Sequence, residues 1–527
     1  MSGARVRLKV ALSKGRGLPL RPVVGVALVL AGVGAVMVAA WSGTPASVEA
    51  LGRNAPVNAG AGDPADIRAH NSPTIASDPT AAENLVVANR VDSPRFGCAL
   101  HISSDGGASW SPTEIPGPAG AQGECYAPDV AFSPDGTLYL TFVTLKGRGN
   151  VPGAVWLSRS RDGGKTLSKP ERVLGELAFQ VRLAADPDTA GRLYVTYVQA
   201  SDVGLYRFTE PGNPIRAIRS DDGGETWSEP VRVNNPARER VVAPAPAVGP
   251  GGELYVLYLD LADDVLDYQG GHDGRGGKPY AGTWQLVLAR SSDQGGSWSE
   301  SVAEDRLVPT ERFIVFLPPW PSVAVDSESG RVYAAFQDGR LKDADVLLWT
   351  LPDGGEDWQG PARVNDTEPR DRTSQYLPRL SVAPGGRLDV VYYDRRGDPE
   401  DDVRTETSFQ TSFDEGESFT ASERLTDRDF DSRIGFGAER GLPDLGSRIA
   451  LASTDSRALA VWTDTRAGTP TSLKQDLAER VVAIAEPEGL TGPTEALLRS
   501  GGALLVLVGL ALLATWLAAD RRPRGDI

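Results

Sequence analysis

Arginines, aspartates and tyrosines are the residues of this chain whose types and spacing could do chemistry, because the other usual reagents are scarce. Three histidines, His70, His101 and His272, are too few and too scattered for a zinc set or a nucleophile–histidine pair, and there is no Gly-rich phosphate cradle or cysteine cluster. In seven short extended runs aligned on a common proline position, the next residue is Thr74, Asp129, Arg182, Ala247, Ser322, Arg379 and Asp444. Two arginines and two aspartates at one register point to two outcomes. Either Arg182 and Arg379 grip an anion with Asp129 or Asp444 as acid–base, or the four charges pair among themselves, since buried charges are tolerated when paired. A second set, "FQDGR", "YYDRR" and "WTDTR", places Asp338 with Arg340, Asp394 with Arg396 and Asp464 with Arg466. These read as salt bridges between repeated units or as a three-arginine anion clamp.

Positioning such residues falls to a repeat. "SSDGGASW", "SRDGGKTL", "SDDGGETW", "SSDQGGSW", "LPDGGEDW" and "SFDEGESF" share the template Ser-x-Asp-x-Gly-x-Ser/Thr-aromatic. Their aspartates, Asp105, Asp162, Asp222, Asp293, Asp353 and Asp414, lie 57, 60, 71, 60 and 61 residues apart, the spacing of stacked structural units. A short carboxylate accepts hydrogen bonds from its own turn, glycine permits positive φ, and the aromatic buries beneath the loop, so these aspartates read as turn staples. Upstream of each lies a β-branched and aromatic run: "ENLVVAN", "GTLYLTF", "GRLYVTY", "GELYVLY", "GRVYAAF", "GRLDVVY" and, last, "SRALAVW". With a strand before each run and another after each box ("EPVRVNN", "GPARVND"), the pattern is all-β: four short antiparallel strands per ~60-residue unit, the blades of a β-propeller. Seven blades are expected, with six as the alternative. The seventh unit lacks a fourth strand, and "NAPVNAG" from Asn54 resembles the others, so it is expected to close the ring and remove exposed edges.

On these motifs the chain resembles the Asp-box (bacterial neuraminidase repeat) propellers of the sialidase superfamily over residues 71–484. The resemblance implies a propeller and, where a member is a sialidase, a three-arginine clamp for the sialic acid carboxylate, a tyrosine nucleophile paired with a glutamate, and an aspartate acid–base. This sequence departs from that pattern: no Phe-Arg-Ile-Pro type motif is present and Thr74 stands where an arginine would be sought. No catalytic residue is carried over.

The flanks set the location. Residues 23–41 are uncharged and follow a leader with six basic and no acidic residues, which reads as a signal peptide, with "ASVEA" ending at Ala50 as a cleavage site, or as a signal anchor. Residues 501–519 form an uncharged apolar run followed by Arg521, Arg522 and Arg524, which reads as a transmembrane helix. Positive flanks place both termini in the cytoplasm and the propeller outside the membrane. The organisation expected is leader and signal 1–50, propeller 51–484, linker 485–500, helix 501–519 and cytoplasmic tail 520–527. Without leader and tail, 45 basic and 68 acidic residues remain, a net charge of about −23, which disfavours nucleic acid. The two cysteines, Cys98 and Cys125, fall on one face of neighbouring blades and are expected to form a disulfide, consistent with an oxidising compartment.

Loops on that face carry Tyr126, Phe313, Phe316, Trp320 and Tyr376, which read as platforms for a sugar ring or a partner's apolar side chains, or as packing against the loop from Asp427. Asp260, Asp263, Asp264 and Asp267 lack the spacing of a known calcium loop and read as a solvated loop. No metal or cofactor is expected. The function expected is recognition of a glycan or protein ligand at the cell envelope, with a sialidase-like glycoside hydrolase acting on an acidic sugar as the alternative.

Overall fold

The computed structural model describes residues 20–41, 46–118, 124–146, 151–202, 210–265, 280–310, 319–352, 355–435, 445–487 and 493–520. The described residues divide into two units, one containing both terminal segments and the other spanning Val48–Ile484.

The larger unit is a seven-blade propeller of antiparallel sheets with four strands, and in two blades a short fifth. The innermost strands are His70–Asp78, Cys125–Phe132, Ala178–Ala185, Val241–Val248, Ser322–Val325, Gln375–Val382 and Ala450–Ser453. The strand beside each is buried on both faces, which is why it reads as a continuous apolar run; all seven residues of Leu254–Asp260, Val332–Asp338 and Leu388–Asp394 are buried. Outer strands are short and partly exposed, as in Val231–Arg232 and Glu423–Arg424.

The N-terminal chain closes the ring. Two short strands, Ser47–Ala50 and Ala55–Pro56, pair with Asp476–Ala485 of blade 7. Leu51 N–H donates to Val481 O at 2.8 Å and Val57 N–H to Leu477 O at 3.0 Å. Asn58, buried, accepts from Leu477 N–H at 2.6 Å and donates to Asp476 Oδ1 at 3.1 Å. The closing strands thus include Ser47–Ala50, upstream of the segment from Asn54.

Five described Ser-x-Asp-x-Gly turns share one hydrogen-bond pattern. In blade 3, Ser220 Oγ donates to Asp222 Oδ1 (2.8 Å) and accepts from Gly224 N–H (2.7 Å), while Thr226 N–H and Oγ1 donate to the two carboxylate oxygens (2.9 and 2.5 Å). Hydrogen bonds from Thr226 and Ser220 hold the Asp222 carboxyl down to about 2. The same bonds recur at Asp105, Asp162, Asp293 and Asp414. Asp353 lies outside the described residues. The turn glycine is required twice over: Gly224 has φ +89°, and a Cβ there would meet Leu157 Cδ2 of the preceding blade at 2.1 Å. Cys98 and Cys125 are disulfide-bonded, joining the third strand of blade 1 to the innermost strand of blade 2.

The other unit contains helices Leu20–Trp41 and Pro493–Asp520. Among the described residues no helix is long and apolar enough to cross a membrane. Side chains are described for residues 22–31 and 33 of the first helix and for 503–515 and 517 of the second.

Glu479, on the strand that receives Ala55, is buried and its Oε2 has no hydrogen-bond partner. Burial, with a smaller contribution from Asp105, pushes its carboxyl up to about 8. The folded state therefore holds a proton that the unfolded chain releases near its ordinary value of 4.5, and stability falls as pH rises from there through 8, by up to about 1.4 kcal/mol per unit. Glu479→Gln should remove that slope; urea midpoints at pH 5 and pH 8 should diverge for the native chain and coincide more closely for the variant.

Candidate anion site in the central channel

All seven innermost strands, with the residues leading into them, contribute to one axial cavity of about 100 Å³. A repeated backbone device shapes it. Ser72, Ala127, Gln180, Ala243, Leu377 and Gly446 adopt left-handed φ between 49° and 82°, and the residue two positions on lines or borders the cavity. Five of these bends coincide with a register shift in the pairing with the next strand, a β-bulge that re-aims the following side chain.

The cavity gathers three arginines around one carboxylate. Arg182 Nε donates to Asp129 Oδ2 at 2.7 Å, and Leu183 N–H donates to the same oxygen at 3.0 Å. Arg448 Nη1 lies 3.8 Å from Asp129 Oδ1, and its Nη2 donates to Pro128 O at 3.0 Å. Nε and Nη1 of Arg448 are buried without a hydrogen-bond partner. Arg379 lines the same cavity, and among the described residues no carboxylate pairs with it. Trp320 packs near two of the cations, with Arg182 and Arg448 at 5.9 and 6.0 Å from its ring centroid.

The electrostatics follow from that stoichiometry. Burial pushes the Asp129 carboxyl up, but Arg182, Arg448 and the Leu183 N–H outweigh it and hold it below its ordinary value. Burial and then the Arg182 charge bring Arg448 down to about 9 and Arg379 to about 10, against the pull of Asp129. Three guanidiniums facing one carboxylate leave an excess of positive charge, which an entering anion would relieve. The cavity has room for a carboxylate-sized group.

Several sequence-based assignments change here. Asp444 lies outside the described residues, and Arg448 stands two residues past left-handed Gly446 as Asp129 stands two past Ala127, so among the described residues the cluster is three arginines and one aspartate. The motif "LPDL" imitates "APDV" and drew the alignment four residues too early. Ala247 is also displaced: Ala245 pairs with Leu257 as Asp129 pairs with Thr141, because the second proline of "PAPAV" obscures the register. Thr74 and Ser322 occupy the register expected.

Trp320 and Tyr376 are not rim platforms. Trp320 is 6% exposed and donates from Nε1 to Pro244 O. Tyr376 is 1% exposed, packed on Tyr393 (5.5 Å between centroids) beneath Arg395. Tyr126 is half-buried, with Arg90 5.4 Å from its ring centroid. Phe313, Phe316 and Asp267 lie outside the described residues. Arg340, Arg396 and Arg466 each pair with the aspartate of their own motif, Asp338, Asp394 and Asp464. Each also reaches beyond it, to Glu304 (2.6 Å), Asp366 (2.9 Å) and Asn54 Oδ1 (3.0 Å), so they do not converge on one point. Asp260 accepts from Arg238 and Asp264 from Trp284 Nε1, and the described residues contain no cluster suited to a metal ion. His70 and His101 are buried and joined through Asn89; desolvation lowers both, keeping them neutral.

The sequence matches no protein-family model and no curated protein. Among solved structures it is similar to a Dyadobacter fermentans protein of unknown function (16% identity, 83% of this chain and 99% of that one, TM-score 0.46). It is also similar to a Hadza microbial sialidase (14%, 78% and 75%, 0.42) and to an ulvan lyase of polysaccharide lyase family 25 (14%, 75% and 92%, 0.45).

Asp129→Ala leaves the buried Arg182 and Arg448 without a carboxylate and should cost about 3–5 kcal/mol. Arg379→Met removes a cation with no paired carboxylate among the described residues and should leave stability unchanged or raise it. Urea denaturation of both variants checks this; equal destabilisation would mean that Arg379 is a structural member of the cluster.

Proposed function

We propose that this chain is a membrane-anchored, extracytoplasmic Asp-box propeller that binds the anionic group of an envelope ligand, an acidic glycan in the first instance, at the arginine cluster of its channel. The observation that carries the reading is Arg379: a cation that lines the cavity with two others, at a cost in desolvation, with no carboxylate paired to it among the described residues. Arg448, with two unpartnered nitrogens, adds donors at the same place.

Binding is favoured over glycoside hydrolysis by what accompanies the arginines. Among the described lining residues Asp129 is the one carboxylate, it is already held by Arg182, and no tyrosine is present. A hydrolase needs a free acid–base and a nucleophile or activated water at the reacting bond. Support for the anchor comes from the two uncharged runs, residues 23–41 and 501–519, with basic residues on the cytoplasmic flank of each.

Calorimetric titration of the purified chain with sialylated and uronate-containing oligosaccharides and their neutral counterparts tests the site. Saturable binding of the acidic members, lost in Arg379→Met, is expected, without release of fluorophore from sialosides. Fluorophore release abolished by Arg379→Ala would replace this reading with the hydrolase, and binding only of an envelope protein would replace the glycan. For the anchor, the full chain should stay with membranes through alkaline carbonate extraction.

A further inference from the structure

The terminal helices carry an unexpected pattern of burial. Of their described side-chain positions only Gly25 and Gly509 are buried. Half-buried positions flank them at helical spacing: Pro22, Leu28 and Val29 on one helix, and Leu505, Val506, Leu512 and Leu513 on the other. These trace one stripe along each helix. A Cβ placed on Gly509 would meet Gly25 O at 2.6 Å and Val29 Cγ2 at 2.7 Å, and one on Gly25 would meet Gly509 O and Leu513 Cγ at 3.0 Å. The two backbones therefore touch where side chains are absent. Gly25 lies against Leu513 and Val29 against Gly509, so the helices run antiparallel.

Away from that seam most of the described side chains are apolar and exposed: Val23 is 47%, Leu30 67%, Leu504 62% and Leu507 64% exposed. Close crossing at small residues with apolar surface all round is how helices associate in lipid, where packing replaces the hydrophobic effect. The antiparallel course is also what two spans require when both ends of the chain lie on one side. Independently, the candidate cleavage site at Ala50 ends a propeller strand. Ala50 N–H donates to Glu423 Oε1 at 3.1 Å and Leu51 N–H to Val481 O at 2.8 Å, so a cut there would remove Ser47–Ala50 from the closing blade.

We infer that the N-terminal helix is retained in the mature protein and forms, with the C-terminal helix, an antiparallel two-helix anchor that crosses at Gly25 and Gly509. This rests on the membrane anchor proposed above, and its test separates the two. In the full chain purified from membranes, mass spectrometry of terminal peptides should recover residues 22–41, with no new terminus between 41 and 51. Val29→Cys with Leu513→Cys, both on the seam, should give an intramolecular linked peptide with a short bifunctional maleimide. The native cysteines are joined in a disulfide and leave no competing thiol. Adding Gly509→Leu should abolish the link while the chain remains in the membrane fraction. A chain that resists carbonate extraction yet starts after residue 41, or whose link survives Gly509→Leu, would overturn the helix pair alone. Release by carbonate would overturn the anchor reading beneath it.

Discussion

Ring closure is the interaction on which the rest of the propeller depends. Each blade presents its inner strand to the axis only while its neighbours hold it, and the seam between blade 7 and the N-terminal chain is made by residues more than 400 positions apart. Backbone bonds from Leu51 and Val57, with the side chain of Asn58 on Leu477 and Asp476, seal it. Without that seal an edge strand would be left open and the innermost strands of blades 7 and 1 would no longer share a cavity.

Two repeated devices serve the two faces of the ring differently. At one face, the Ser-x-Asp-x-Gly turns satisfy their own polar groups and let glycine approach an apolar side chain of the neighbouring blade, so repetition there means packing. Along the channel, the left-handed bend repeats but the residue it aims does not: Thr74, Asp129, Arg182, Ala245, Arg379 and Arg448 share a position and not a chemistry. A rigid, repeated scaffold with unrepeated side chains at its axis is the arrangement expected where one ligand meets seven blades. The excess positive charge at that axis, inside a domain that is strongly acidic overall, sharpens the contrast.

Blade number, strand order, the turns and the closing segment were legible in the primary structure because each is local: a turn staple, a β-branched run and a missing fourth strand are read within about ten residues. The channel was legible only in part. Arg182, Arg379 and Asp129 emerged from aligning the strands, but Arg448 did not, since a nearby "LPDL" competes for the alignment. The aromatic residues stayed open between platform and packing for a different reason: a loop tryptophan or tyrosine looks the same in sequence whether it faces solvent or, as Trp320 and Tyr376 do, lies against guanidinium groups.

What the chain determined by itself is periodic: hydrophobic runs, glycine and aspartate turns and uncharged ends, all properties of neighbours in the chain, whose energetics do not depend on what folds against them. Tertiary structure alone decided which charges meet. Asp129, Arg182, Arg379 and Arg448 are separated by 53, 197 and 69 residues along the chain, and their mutual field and desolvation exist only once the ring brings them to one small cavity.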